Sequence, residues 1–220
     1  MKRERLYYWI DHTARFSTNT GMQRVTRSLS RALLENGDEV VFVCWSSELR
    51  RLVLATRDEL LAFSRFSGPQ LSEVSLAQYP GRSEARTLDQ MADFVPGEGW
   101  LLVPEVTHIT YHEQPPTLDA LLCAKHLGLK TAFIFYDAIP LKLPQYAAAA
   151  DAHAAYMQQI AMADVVVPIS RFAAKDLTDY LAEFGGCDDS TLPVVRPLSL
   201  PGEVPGTRRA HGEKGVSPEF

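Results

Sequence analysis

The sequence predicts a doubly wound α/β fold, in which helices pack on both faces of a mostly parallel β-sheet. Two observations lead to this prediction. Short apolar and β-branched runs alternate with longer segments of helical period, and these runs are nearly continuous, as is typical of strands covered on both faces. Strands joined by helices pair in parallel through right-handed crossovers. A chain of 220 residues fits one such unit.

The chain opens with a strand, a helix and a second strand. Residues 6–10 are apolar and aromatic, which is typical of a buried strand. A polar stretch over residues 12–20 predicts a loop that leads to Gly21. From there apolar residues recur at every third or fourth position, which predicts an amphipathic helix that ends at Asn36. The β-branched run over residues 40–45 predicts the second strand.

The middle of the chain predicts less regular structure. Residues 52–55 predict a further short strand, and Thr56 and Glu59 have the spacing of a capping box at the start of a helix. Residues 64–99 are rich in Ser, Gly, Pro and isolated charges and lack a sustained period, so they predict a long surface excursion. A buried strand follows over residues 100–103.

The second half repeats the alternation of helix and strand. The predicted elements are a helix from Pro115-Pro116 to Gly128, a strand over residues 131–136, a helix over 146–163, a strand over 165–169, a helix capped by Ser170 and stopped by Gly185-Gly186, and an extended segment over 192–200. Pro140 and Pro144 exclude a regular helix directly after the first of these strands. We therefore divide the chain into a domain over residues 1–200 and a linker or tail over residues 201–220.

The composition excludes several classes of protein. The formal net charge of −5 at pH 7 gives no electrostatic footprint for nucleic acid. No apolar run approaches the roughly 18 residues of a spanning helix, and the amino terminus does not resemble a signal peptide. The cysteines, Cys44, Cys123 and Cys187, have neither the even number of a disulfide framework nor zinc-binding spacing. We therefore expect a cytoplasmic protein.

The motifs of cofactor and metal chemistry are missing. A dinucleotide-binding fold needs G-x-G-x-x-G after the first strand, where this chain has only Gly21. The phosphate loop, the zinc-peptidase motif and the esterase motif G-x-S-x-G are absent as well. His108 and His112 are four residues apart but lie in irregular sequence. We expect no metal and no resident cofactor.

Polar residues follow five of the predicted strands. In a doubly wound sheet, ligands bind outside the carboxyl ends of the strands, so these residues should line one edge and form the candidate site. They are Asp11, Ser46, Glu105, Asp137 and Ser170. Each has a local alternative, because aspartates bind N–H groups at turns, a serine caps a helix and a glutamate after a proline can be solvated.

Three of the segments near these residues resemble a known family. They are TGMQRV at residues 20–25, FYDAIP at residues 135–140 and VPISRF at residues 167–172. Together they resemble the N-terminal half of GT-B glycosyltransferases. The most similar group is the bacterial family 4 of retaining enzymes, of the glycogen synthase and mannosyltransferase type, which extend surface polysaccharides from nucleotide sugars. The resemblance spans about residues 5–200.

The resemblance implies a division of labour between two Rossmann-like domains. In the family, the N-terminal domain holds the sugar or lipid-linked sugar acceptor, and the C-terminal domain holds the nucleotide sugar, which is a co-substrate and not a cofactor. This chain corresponds to the first domain. We therefore expect it to be inactive alone and to need a donor domain, either from the same protein or as a separate chain.

The resemblance also implies roles for individual residues. Gly21 matches a loop near the donor phosphates, and Asp137 matches an acceptor-binding, catalytic position. Tyr136 stands where relatives commonly have histidine, which leaves the role of that histidine open. Ser170 and Arg171 match the strand-to-helix turn that borders the cleft.

A physical argument adds Glu105 to this set. Glycosyl transfer needs an acceptor hydroxyl held near the anomeric carbon and a leaving diphosphate stabilised by helix amides. We hypothesise that Asp137 and Glu105 hydrogen-bond acceptor hydroxyls, while the amides around Gly21 approach the leaving phosphate.

Two other classes remain open. The chain is alternatively a non-catalytic docking module that binds a protein or an anionic membrane through its sheet edge or through Arg24, Arg27 and Arg31, which have helical spacing. Such arginines are otherwise typical of a solvated helix face. A flavodoxin-like or receiver domain is disfavoured, because no acidic cluster follows the first strand beyond Asp11.

Overall fold

A computed structural model describes residues 4–82, 84–110, 112–184 and 192–199. These residues contain a seven-stranded sheet. Its strands are β1 (Leu6–Trp9), β2 (Val40–Ser46), β3 (Arg51–Leu54), β4 (Trp100–Val103), β5 (Lys130–Phe135), β6 (Val165–Pro168) and β7 (Val194–Val195). Their order across the sheet is β3-β2-β1-β4-β5-β6-β7. All neighbours are parallel except β2 and β3, which form an antiparallel hairpin.

Helices flank the sheet and connect its strands. They are α1 (Asp11–Arg15), α2 (Gly21–Glu35), α3 (Arg57–Phe63), α4 (Glu73–Leu76), α5 (Thr117–His126), α6 (Ile139–Lys142), α7 (Ala150–Ile160) and α8 (Arg171–Phe184), with 3₁₀ helices at Leu88–Gln90 and Pro144–Ala149. The predicted α/β fold with a mostly parallel sheet is confirmed, and it is compatible with a Rossmann-like arrangement. The tail predicted over residues 201–220 and the stop at Gly185-Gly186 lie outside the described residues.

The first long helix shows how local sequence sets an element boundary. The Thr20 hydroxyl accepts a hydrogen bond from the backbone N–H of Gln23, and the Gln23 side chain accepts one from the backbone N–H of Thr20, which makes a capping box. The helix is fixed to the sheet because the Tyr8 hydroxyl donates to the Thr26 carbonyl over 2.7 Å. The predicted start at Gly21 is therefore confirmed.

The arginines of α2 do not form one exposed face, although both roles predicted for them, membrane binding and a solvated helix face, require one. Arg27 is 1% exposed. Its guanidinium donates to the Phe63 carbonyl over 3.1 Å and to the Asn19 side chain over 2.8 Å. Arg31 donates to the Ser67 carbonyl, whereas Arg24 is exposed. A continuous basic face for a membrane is therefore wrong, because the chain around residues 63–67 covers the middle of it.

Short helices occupy segments that the sequence predicts as loops. Helix α1 lies within the polar stretch after β1, and α4 lies within the long excursion. Helix α6 directly follows the β5 turn although Pro140 is part of it, because proline is tolerated in the first turn, where an N–H has no helical partner. Pro144 opens the 3₁₀ helix that delays the regular helix α7 to Ala150.

The long excursion covers the β3 edge of the sheet. The backbone N–H of Leu54 donates to the Arg86 carbonyl over 2.8 Å, and Val53 forms an antiparallel bridge with Thr87. The side chain of Leu88 is fully buried against the core. This part of the excursion therefore continues the sheet for a short distance.

Candidate functional site

The strand order identifies the place where a ligand is expected. The chain crosses from β1 to β2 on one side of the sheet and later enters β4 on the other side of β1. The carboxyl ends of β1 and β4 therefore border a topological switch point, where ligands of open α/β sheets bind. Asp11 directly follows this end of the sheet on the β1 side, and Glu105 does so on the β4 side.

Glu105 holds the segment after β1 in place. Its side chain is fully buried, and its two oxygens accept hydrogen bonds from the backbone N–H groups of His12 and Thr13 over 2.8 and 2.7 Å. Burial raises the pKa of Glu105 to about 7, and these hydrogen bonds act against that rise. The solvated alternative for Glu105 is wrong. Because both oxygens bind the backbone of α1, Glu105 contributes to the site by holding this short helix in place.

Asp11 joins three segments at the switch point. One carboxylate oxygen accepts from the backbone N–H of Trp45 over 2.9 Å and also contacts the guanidinium of Arg15. The other oxygen lies 2.9 Å from Nε2 of His112, in the loop between β4 and α5. Asp11 is 2% exposed. The local alternative, in which Asp11 binds a backbone N–H group, is present here together with contacts to the side chains of Arg15 and His112.

Asp137 lies at the carboxyl end of β5 and forms a local turn. Its Oδ1 accepts from the backbone N–H of Ile139 over 2.9 Å. Its own carbonyl accepts from Nε2 of His153 on α7 over 2.9 Å. The half-buried Asp137 carboxylate therefore has a fixed orientation at the carboxyl edge of the sheet.

Tyr136 ties the ends of two strands together. Its hydroxyl donates to the carbonyl of Pro104 over 2.8 Å, which links the end of β5 to the end of β4. Burial and the nearby charge of Glu105 raise the pKa of Tyr136. Tyr136 therefore acts as a neutral hydrogen-bond donor that holds the ends of β4 and β5 together near Glu105.

Gly21, Ser170 and Arg171 lie at the starts of two helices on the same edge. Gly21 is the exposed first residue of α2, and a Cβ atom added there would meet nothing within 4 Å. Packing within the chain therefore does not require a glycine at this position. The Ser170 hydroxyl accepts from the N–H of Ala173 over 3.0 Å, which confirms it as the cap of α8. Arg171 is exposed beside it.

Histidines near the switch point are the residues that the sequence analysis missed. His12 stacks on Phe16 with ring centroids 4.3 Å apart, and the rings of His108 and His153 are 4.9 Å apart. Burial lowers the pKa of His108 to about 4. The available signal was position, because His12, His108 and His112 all lie in the segments that follow the carboxyl ends of β1 and β4. Within the described residues, no three His, Cys, Asp or Glu side chains form a group that could hold a metal ion.

Exposed apolar side chains are frequent along this edge. Segments that follow carboxyl ends of strands carry Phe16, Leu49, Ile109, Ile139, Leu143, Tyr146, Phe172 and Leu198, each at least one-third exposed. We call this set the apolar rim. Exposed apolar side chains concentrated on one edge are typical of a face that contacts another molecule or domain.

A cavity of about 660 Å³ lies next to the carboxyl end of β2. Its lining includes Arg15, Trp45, Ser46 and Glu59, and Arg15 pairs with Glu59 over 2.7 Å. The Ser46 hydroxyl at its border accepts from the backbone N–H of Leu49 over 3.2 Å. The lining of the cavity therefore includes both positively and negatively charged hydrogen-bonding groups.

Comparison with known proteins adds no identification. No protein-family model, curated protein or solved structure matches the chain. Within the described ranges, no helix combines the length and apolarity that crossing a bilayer requires.

Proposed function

We propose that this chain is the acceptor-binding domain of a nucleotide-sugar-dependent glycosyltransferase, one half of a GT-B architecture of the retaining family 4 type. One observation supports the proposal most. Two of the segments that resemble the family, at residues 135–140 and 167–172, span the carboxyl ends of the neighbouring parallel strands β5 and β6, and the third, at residues 20–25, opens the long helix that comes after β1 and α1. Two of the three resembling segments thus lie at the edge of the sheet where a ligand is expected.

In this proposal each residue contributes positioning. Asp137 accepts a hydrogen bond from the acceptor hydroxyl that attacks the anomeric carbon. The backbone amides around Gly21 at the start of α2 approach the leaving diphosphate. Glu105 and Tyr136 brace the loops that carry these groups, and Ser170 and Arg171 form the border of the cleft. The domain carries no metal or cofactor, and a donor domain holds the nucleotide sugar.

The apolar rim supports an acceptor domain over a docking module. A second domain that closes over the switch point would cover these side chains, as expected for half of a two-domain enzyme. The docking alternative uses either the sheet edge or the basic helix, and on that helix Arg27 is buried. The lipid-linked acceptor itself, rather than this helix, would bring the enzyme to the inner face of a membrane.

Saturation-transfer NMR on the purified chain tests the proposal. We expect oligosaccharides of a bacterial polysaccharide panel to give transfer signals, and we expect Asp137→Ala to weaken them about tenfold, the effect of losing roughly 1.4 kcal/mol of binding free energy. Asp151→Ala, at an exposed position of α7, is the matched control and should bind as the unchanged chain does.

Two results would contradict the proposal. One is the absence of a signal from every saccharide, and the other is equal binding by Asp137→Ala and the unchanged chain. A parallel incubation with labelled nucleotide sugars and lipid-linked acceptors should give no product. In this proposal, part of the groups that stabilise the leaving diphosphate belongs to the donor domain.

A further inference from the structure

Three side chains from three separate segments form a continuous hydrogen-bonded chain at the carboxyl edge of the sheet. Oγ of Ser47, in the turn between β2 and β3, lies 2.8 Å from Nδ1 of His112. Nε2 of His112 lies 2.9 Å from Oδ2 of Asp11. No part of the proposed acceptor site uses Ser47 or His112.

The chemistry of the three groups fixes where the protons lie. A carboxylate oxygen only accepts hydrogen bonds, so Nε2 of His112 carries a proton and donates it to Asp11. In the neutral ring Nδ1 is then the acceptor, and the Ser47 hydroxyl donates to it. A hydroxyl that donates to an imidazole held by a carboxylate is the arrangement that activates a serine nucleophile.

The Ser47 hydroxyl differs from the His112 and Asp11 side chains in its exposure to solvent. The side chains of His112 and Asp11 are 6% and 3% exposed, whereas Ser47 is exposed. Asp11 is also held by the backbone N–H of Trp45 and by Arg15, so its orientation toward the imidazole is fixed. The base and the group that orients it are shielded from water, and the hydroxyl can be reached from solvent.

We propose that Ser47, His112 and Asp11 form a second reactive site, in which Ser47 is a nucleophile toward acyl esters. The serine contacts Nδ1 of the imidazole and the aspartate contacts Nε2, the reverse of the usual serine-hydrolase arrangement. The imidazole can accept and return a proton at either nitrogen, so the chemistry is retained. Such triads are defined by geometry and occur in several chain orders, so the missing G-x-S-x-G motif does not exclude one.

The reaction balances with water as the only co-reactant. Oγ of Ser47 bonds to the carbonyl carbon of the ester while the serine proton passes to Nδ1 of His112. The bond from that carbon to the ester oxygen then breaks, and the leaving alcohol takes the proton from Nδ1. Water attacks the acyl-serine in the same way, which releases the acid and restores the hydroxyl. Asp11 neither gains nor loses a proton.

The surroundings of Ser47 favour a short apolar acyl group. Leu49, in the same turn, is 44% exposed. Arg50 pairs with Asp119 of α5 over 3.0 Å, which brings the turn to the part of α5 where Leu118 is 37% exposed. Leu49 therefore gives the turn that carries Ser47 an exposed apolar side chain, and a short-chain ester suits it better than a charged one.

Labelling with a fluorophosphonate probe, located by peptide mass spectrometry, tests the proposal. We expect the unchanged chain to be labelled at Ser47 and Ser47→Ala to lose this label. Ser72→Ala removes another exposed serine hydroxyl and should leave labelling unchanged. Hydrolysis of p-nitrophenyl acetate should fall by at least roughly 100-fold in Ser47→Ala, because without the nucleophile the base His112 has no proton to accept and its catalytic contribution is lost as well.

Variants of the other two groups separate a relay from a merely exposed serine. His112→Gln and Asp11→Asn should each slow labelling of Ser47 at least tenfold, with circular dichroism checking that the fold is retained. An unlabelled Ser47 in the unchanged chain would overturn the proposal. So would labelling of Ser47 at an equal rate in a folded His112→Gln protein.

Discussion

At the scale of single residues, buried imidazoles distinguish this protein from an ordinary α/β domain. His153 is 4% exposed, and its ring contacts those of His108 and Tyr156. Among the described residues, Nδ1 of both histidines and the Tyr156 hydroxyl are buried without a hydrogen-bond partner. Burial lowers the pKa of each histidine, so the neutral ring is the form that this packing accommodates.

The histidine pair predicts loss of stability in acid. The folded state holds the pKa of His108 at about 4, below the value of about 6.5 in the unfolded chain, so the unfolded chain binds the proton first. The contribution of His108 is present above about pH 6.5 and is lost as the pH falls toward 4. Glu105 acts in the opposite direction, because its raised pKa stabilises the folded state as the pH falls below about 7.

Thermal unfolding followed by circular dichroism isolates the histidine contribution. Between pH 7 and pH 5, the melting temperature of the unchanged chain should fall more than that of His108→Gln. His126→Gln, which changes an exposed histidine at the end of α5, should behave as the unchanged chain does. An identical pH dependence in His108→Gln and the unchanged chain would show that His108 does not titrate on unfolding in this range.

At the scale of elements, the helix caps could be predicted from the sequence, whereas the burial of helix faces could not. Thr56 and Glu59 form the predicted capping box at the start of α3 because that pattern depends on residues three apart. Helix α1 was missed because its polar residues have no apolar period. It is held from outside by Glu105, which is 92 residues away from Thr13 along the chain. The contact of His112 with Asp11 spans 101 residues and was equally inaccessible to the sequence analysis.

Among single substitutions, we expect one at Arg27 of helix α2 to lower the stability of the fold most. Arg27 donates to the Phe63 carbonyl on one side, and to Thr13 of α1 and Asn19 of the loop before α2 on the other. Arg27→Met would leave these buried acceptors without a donor. We expect the free energy of unfolding to fall by about 3 kcal/mol.

Urea denaturation measures this loss against a matched variant. Arg24→Met changes an exposed arginine one turn earlier on the same helix. Its effect should stay within about 0.5 kcal/mol. Equal stabilities of the two variants would mean that Arg27 contributes no more than a surface arginine.

At the scale of the whole molecule, the apolar rim governs association. Phe172, the second residue of α8, is 85% exposed, and Ile139 and Tyr146 of the neighbouring connection are 43% and 49% exposed. If a second domain normally covers this edge, the chain alone should self-associate through it as the concentration rises. The position of the edge was predictable from the alternation of strands and helices. Its apolar character was not, because single apolar residues at helix starts and in short connections carry no periodic signal.

Size-exclusion chromatography with light scattering tests the role of the rim. We expect the unchanged chain to shift from monomer toward dimer with concentration and Phe172→Asp to remain monomeric. Val74→Asp changes a residue of α4 that is 76% exposed and lies outside the rim, so it should associate as the unchanged chain does. A monomeric unchanged chain at every concentration would favour an evolved binding module over half of an enzyme.

The short extension of the sheet beside β3 has a consequence for misassembly. An uncovered edge strand is a template for intermolecular β-pairing and fibril growth, and proteins protect such edges with covering segments or very short strands. Here Arg86 and Thr87 cover the outer side of β3, and β7 at the opposite margin has only two residues. The protein should therefore resist amyloid-like stacking.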